Sequence, residues 1–194
     1  MLLRQAEARS QGRPASGRQF VWCPLAQMPP QFLKFVFVAE DQRFFQHRGF
    51  DWREIDLARQ QATRTGRKVR GASTITMQCA RSLFLWQGRS YLRKGLEAYY
   101  TFWMETLLSK RRIFELYANV IEMGDGVYGI EAAARVHFGT QARNLDREQS
   151  AALAALLPNP RKWNPRAPSP ILAARIAKIL RQEKQVVFPL ASLR

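Results

Sequence analysis

Two adjacent acids, Glu40 and Asp41, close an apolar run in the segment "FVFVAEDQRFFQHRGFDW", residues 35–52. If residues 32–45 form a helix, Val36 and Phe37 lie one turn before Glu40 and Phe44 one turn after it. Asp41 would have Phe37, Val38, Phe44 and Phe45 around it. Desolvation disfavours a charged carboxylate and raises its pKa, which suits it to proton transfer near neutral pH. Spacing does not choose between the two acids. The plainer alternative is an acid that pairs with Arg43 or a distant arginine and orders the turn.

Two further stretches carry chemistry. Between Ala58 and Arg112 the only acids are Glu97 and Glu105, in a strongly basic region. Glu97 follows Arg93 by four residues and Lys94 by three. A helical ion pair worth roughly 0.2–0.5 kcal/mol accounts for that spacing. The same region offers Arg81, Arg93, Lys94 and Lys110 to a polyanion. The stretch "GASTITMQCARSLF" is polar where a core segment should be apolar. Ser73, Thr74, Thr76 and Gln78 present donors and acceptors for a sugar or phosphate, or else form a capped loop leading into a helix.

The elements that must position these residues are bounded by composition. The 194 residues are 46% hydrophobic, enough for one folded domain with a substantial core. The net charge of +16 favours an anionic partner: nucleic acid, an acidic membrane surface or a phosphorylated substrate. Cys23 and Cys79 are far apart and unpaired in spacing, so free thiols are expected. With only His47 and His137 besides, a transition-metal site is not expected. No stretch reaches the ~20 apolar residues that span a bilayer. The first residues lack the apolar core of a signal peptide. Taken literally, the chain shows neither export signal nor anchor.

Residues 1–19 are polar and basic and read as a flexible linker, with one domain over 20–194. A helical pattern begins near Gln31. Asp51 is placed to cap "WREIDLARQQATR", and "TRTGRKVRGAST" reads as a basic loop. Ser90 precedes the longest periodic stretch, "YLRKGLEAYYTFWMETLLSK", where Leu92, Leu96, Tyr99, Trp103 and Leu107 predict a buried stripe. "RRIFELYANVIEM" is a further helix that stops at "GDGVYG", and "IEAAARVHF" resumes it. Asp146 with Gln149 resembles a capping box, and Ser169-Pro170 a cap followed by a first-turn proline. Alternating runs and hairpin dipeptides are not evident, so the fold class expected is all-α.

These stretches, in this order, resemble the peptidoglycan glycosyltransferases, which polymerise lipid II. The family's motifs correspond here to "EDQRFFQHRG", "GASTITMQ", "RKGLE", "KRRIFELYANVIEMGDG" and "LLPNPRKWNP". The match spans about residues 20 to 182, and the chain looks like the monofunctional form. The resemblance implies a lysozyme-like, all-α fold with a larger head lobe and a smaller, membrane-facing jaw. The apolar run before Glu40 and the basic loop near residues 64–70 would lie near the bilayer.

By motif, the resemblance implies Glu40 as general base and Glu97 as the second essential acid, holding cations or a divalent ion (Mg²⁺ or Mn²⁺) at the diphosphate. Arg81, Arg93, Lys94 and Lys110 would stabilise that diphosphate. Thr74 and Gln78 would line the sugar site, with Ser73 supporting the turn. Asp41 and His47 would serve local structure. The implied partners are lipid II, a lipid-linked glycan strand, the membrane surface and other cell-wall synthases, on the outer, periplasmic face of the cytoplasmic membrane. Members normally carry an anchor helix just before this region. The second motif departs from the family in Met77 and in Arg81-Ser82, which implies weakened activity or an altered substrate form. The rival readings are an inactive relative, a lysozyme-like hydrolase and a basic nucleic-acid-binding protein; the last is not favoured, because no binding motif is present.

Overall fold

The computed structural model describes residues 19–66, 71–86, 88 and 90–193. The linker expected at 1–19 lies outside the described residues except for Gln19, as does the 67–70 part of the basic loop. Eight α-helices dominate the described residues, in agreement with the all-α class expected.

Helix α1 (Pro30–Glu40) starts at Pro30, whose fixed φ and missing N–H suit the first helical position. Phe32, Leu33, Phe35, Val36, Phe37 and Val38 are all buried, so α1 is a central helix, apolar nearly all round. It packs on α7 (Arg147–Leu156) and α8 (Pro170–Glu183). The run before Glu40 is therefore protein core. The helix also stops at Glu40, five residues short of the stretch expected; Asp41 leaves it with φ −160°.

A second group is formed by α3 (Ile75–Phe84), α4 (Tyr91–Leu107) and α5 (Lys110–Val120). The single helix expected over residues 91–110 divides at Leu108. Ser109 caps α5 by accepting from Arg112 N, as Ser90 caps α4 by accepting from Arg93 N. Helix α2 (Trp52–Thr65) is capped by Asp51 as expected and buries only Ala58. The capping box of α7 and the Ser169 cap of α8 are both formed.

The predicted buried stripe on α4 is reversed. Leu92 is 70% exposed, Tyr99 56%, Trp103 42% and Leu107 72%. The inward face carries Arg93, Glu97, Thr101 and Met104. Periodicity located an apolar face correctly, but the protein interior takes the opposite, largely polar one.

Strands β1 (Gln19–Phe20), β2 (Glu122–Gly124) and β3 (Val127–Tyr128) form a small sheet in the order β1-β3-β2. The β2–β3 turn is Asp125-Gly126, a hairpin dipeptide the sequence reading passed over, with Gly126 at φ +74°. The sheet leads into α6 (Gly129–Phe138), which packs on α5. On α5, Asn119 clamps the lead-in chain: Cys23 N donates to its Oδ1 at 2.8 Å, and its Nδ2 donates to Cys23 O at 2.9 Å. Gly129 sits against the same residue at φ +79°, where a Cβ would come 2.4 Å from Asn119 O. Gly129→Ala is therefore expected to cost at least about 1–2 kcal/mol from backbone strain alone, with the clash in addition. A thermal melt followed by circular dichroism checks it; an unchanged midpoint would contradict the packing described.

Candidate active site

Glu40 is the last residue of α1, and both its oxygens are held by distant side chains. Gln78 Nε2, on α3, donates to Oε2 at 2.9 Å. Arg175 Nη2, on α8, donates to Oε1 at 3.0 Å. Burial pushes the Glu40 pKa above the ordinary carboxylate value. The Gln78 hydrogen bond and the charges of Arg175 and Arg81 pull against that rise, and Asp41 adds to it. The carboxyl lines a cavity of about 340 Å³, with Ser73, Thr74, Arg43, Arg175 and Lys178 among the other lining residues.

Asp41 points into a different set of contacts. Its Oδ2 accepts from Ile75 N at 3.0 Å, at the first turn of α3, and both oxygens lie 3.1 Å from His47 Nε2. Asp51 follows closely, accepting from Glu54 N at 3.1 Å with Arg43 Nε 3.4 Å away. Ligating atoms of Asp41, His47 and Asp51 lie within 4.8 Å of one another. The two carboxylates accept from the Ile75 and Glu54 N–H groups, Asp41 bonds His47 and Asp51 pairs with Arg43, so the cluster ties the loop after α1 to α2 and α3. Thr74 joins this knot: its hydroxyl donates to Gly49 O at 2.7 Å and accepts from Met77 N at 3.2 Å. Thr74 lines the cavity, but its hydroxyl is engaged in capping α3.

Glu97 lies on the inner face of α4, with its side chain 1% exposed. Arg93 Nη1 donates to one oxygen at 2.6 Å and Lys94 Nζ to the other at 2.5 Å. The helical ion pair read from the spacing is formed, but in the interior, where breaking it would leave a charge unpaired. A divalent ion does not fit here: Glu97 is one carboxylate, and both its oxygens already serve cations. Arg93 keeps a buried Nε–H with no hydrogen-bond partner.

Lys110 is committed elsewhere. Its Nζ donates to Glu105 Oε1 at 2.7 Å and sits 4.3 Å from the centre of the Phe44 ring. Glu105 also accepts from the Thr76 hydroxyl at 2.5 Å. The structure therefore gathers Glu40, Gln78, Ser73 and Thr74 at one place, with the Arg81 charge acting on Glu40. Arg93, Lys94 and Glu97 form a second cluster on α4, which packs on α3, and they do not line the Glu40 cavity. Lys110 belongs to a third. Arg175 and Tyr117, whose hydroxyl bonds Gln78, were missed by sequence reasoning. Arg175 lies 135 residues from Glu40, and no local pattern marks it.

The transglycosylase family profile matches residues 7–184, reaching into the segment read as a linker. The chain is similar to proteins named biosynthetic peptidoglycan transglycosylase. That of Xylella fastidiosa (strain M23) is 51% identical over 167 residues, covering 86% of this chain and 68% of the relative. That of Xanthomonas campestris pv. campestris (strain B100) is 46% identical over 189 residues, 97% of this chain and 76% of the relative. That of Pseudomonas fluorescens (strain SBW25) is 46% identical over 186 residues, 96% and 77% respectively.

The Arg175 contact makes a directional prediction. Arg175→Met removes a positive charge that favours ionised Glu40, so the carboxyl should titrate at higher pH than in the wild type. The infrared carboxyl band that disappears in Glu40→Gln reads this directly; an unmoved titration would mean the pair carries no electrostatic weight.

Proposed function

The chain belongs to the transglycosylase family, and we propose that it is a peptidoglycan glycosyltransferase that polymerises lipid II into β-1,4-linked glycan strands. The observation that carries the mechanism is the desolvated carboxyl of Glu40 at the cavity, held between an amide donor and a guanidinium.

Glu40 acts as general base. It takes the proton of the acceptor's sugar 4-hydroxyl as that oxygen attacks the anomeric carbon of the lipid-linked donor. The new C–O bond forms as the bond to the diphosphate breaks, and undecaprenyl diphosphate leaves with the electron pair. Attack opposite the leaving group inverts the anomeric configuration. A carboxylate whose pKa is lifted by burial is a better base near neutral pH than an exposed one.

The leaving diphosphate gathers charge in the transition state, and preorganised cations stabilise it there. Arg81, Arg93 and Lys94 are the residues we assign to it. Glu97 holds Arg93 and Lys94 in fixed positions. Lys110 would reach a phosphate only by leaving Glu105. A divalent cation, Mg²⁺ or Mn²⁺, would enter as the counterion of the diphosphate rather than as a ligand of Glu97. Ser73 and Gln78 border the sugar beside Glu40, and Thr74 shapes that border through its cap.

Lipid II is membrane-borne, and we place the reaction at the outer face of the cytoplasmic membrane. No helix among the described residues is long and apolar enough to cross a bilayer. The outward face of α4 supports surface docking: Leu92, Tyr99, Phe102, Trp103 and Leu107 are all exposed on it. A contiguous apolar and aromatic patch on a basic protein suits the interface of an anionic bilayer.

Three outcomes check this reading. Glu40→Gln should lower polymerisation of labelled lipid II by about 10²–10⁴-fold with an unchanged circular dichroism spectrum. Glu97→Gln should also be severely impaired, whereas near-normal turnover would reduce Glu97 to a structural ion pair. Replacing Phe102, Trp103 and Leu107 together by serine should weaken sedimentation with phosphatidylglycerol vesicles by at least about tenfold. Undiminished binding would exclude α4 as the docking face.

A further inference from the structure

Glu40 is held by Gln78, and Gln78 is itself held by a residue with no access to substrate. The Tyr117 hydroxyl, on α5, donates to Gln78 Oε1 at 3.2 Å, while Gln78 Nε2 donates to Glu40 Oε2 at 2.9 Å. Three elements, α5, α3 and the end of α1, meet in this chain of contacts. Tyr117 is fully buried at 0% exposure, so its hydroxyl cannot turn to solvent instead.

A primary amide is nearly symmetric in shape but not in chemistry: one end donates and the other accepts. Turned one way, Gln78 offers N–H to Glu40. Turned the other way, it presents a carbonyl oxygen, which opposes an ionised carboxylate and suits a protonated one. Shape alone does not choose between them. Tyr117 does, because burial keeps its phenol protonated and the proton needs an acceptor. Among the described residues Gln78 Oε1 supplies it, and that fixes Nε2 toward Glu40 and toward the Ser73 carbonyl, which accepts from it at 3.4 Å and favours the same orientation.

We propose that Tyr117 is a positioning residue for the reaction: its hydroxyl locks the Gln78 amide in the orientation that holds Glu40 as an ionised base. The proposal rests on the reading of Glu40 as the base. Removing only the phenolic oxygen leaves the other charges that face Glu40 in place: Arg175 from α8, Arg81 from α3 and Asp41 beside it. Arg43, Asp51, Glu54 and Lys178 on the cavity wall are likewise untouched. A change in Glu40 titration on Tyr117→Phe therefore reports on the amide.

The test is the pH dependence of kcat/KM for lipid II polymerisation in wild type, Tyr117→Phe, Gln78→Leu and the double variant. Loss of a donor to a carboxylate favours its protonated form, so the acidic limb should move to higher pH in Tyr117→Phe. At a fixed pH on that limb the loss should be roughly tenfold, the size of one hydrogen bond to a charged group, and smaller at high pH. Gln78→Leu should move the limb at least as far, and the double variant no further than Gln78→Leu alone. A stationary limb in Tyr117→Phe, or a further shift on adding it to Gln78→Leu, overturns the proposal. If Tyr117→Phe did not fold, a stationary limb in Gln78→Leu would overturn it equally. The infrared titration of the Glu40 carboxyl, without substrate, separates the two levels. Activity surviving Glu40→Gln refutes the base, while the band shift still decides whether Tyr117 acts through Gln78.

Discussion

A carboxylate at the C-terminal end of a buried apolar helix is opposed twice. Its surroundings desolvate it, and the last carbonyls of the helix present partial negative charge to it. Glu40 stands in that position on α1, with Asp41 beside it as a third unfavourable influence. The structure offsets these by bringing an amide from α3 and a guanidinium from α8 to its two oxygens. Much of the tertiary arrangement serves that meeting. Helix α8 packs on both α1 and α7, and Arg175 is steadied where its Nε donates to Ala155 O at 3.2 Å. Lys34 of α1 also pairs with Glu183 of α8 at 2.7 Å, so the two helices are joined at a second point.

The same economy of charge explains α4. Arg93 and Glu97 occupy the face toward the protein, where an unpaired ion would be costly, and they pair closely there, with the half-exposed Lys94 closing on Glu97 from the rim. The apolar side chains are turned outward. In water alone that arrangement is unfavourable; beside a bilayer both faces are matched to their surroundings. Under the proposed function, a single helix would hold the cations assigned to the diphosphate on one side and rest on a lipid surface with the other. That is a suitable geometry for a substrate whose diphosphate lies between a sugar and a lipid tail.

What was legible in the sequence was local. Asp51, Ser90, Asp146 with Gln149, and Ser169-Pro170 act within three or four residues, and each cap is formed as read. Glu40 and Gln78 were marked by their unusual settings. Arg175 and Tyr117 were not, because each matters only through a partner 135 and 39 residues away. The α4 stripe failed for another reason: a period of 3.6 identifies an apolar face but not the medium it meets. The hairpin at Asp125-Gly126 was short enough to pass for a helix break.

One puzzle of the sequence, the polar stretch at the start of α3, resolves into a geometric argument. Each polar group there has a different partner. Thr74 Oγ1 reaches Gly49 O, the Ile75 N–H reaches Asp41, Thr76 Oγ1 reaches Glu105, and Gln78 reaches Glu40. Successive helical residues point about 100° apart, so the side chains of Thr74, Thr76 and Gln78 can reach three different surroundings while the Ile75 N–H at the helix start reaches Asp41. A shift of one residue in where α3 begins would misdirect all four. The N-cap at Thr74 fixes that beginning, which makes a hydroxyl with no direct part in catalysis decide where the amide facing Glu40 arrives.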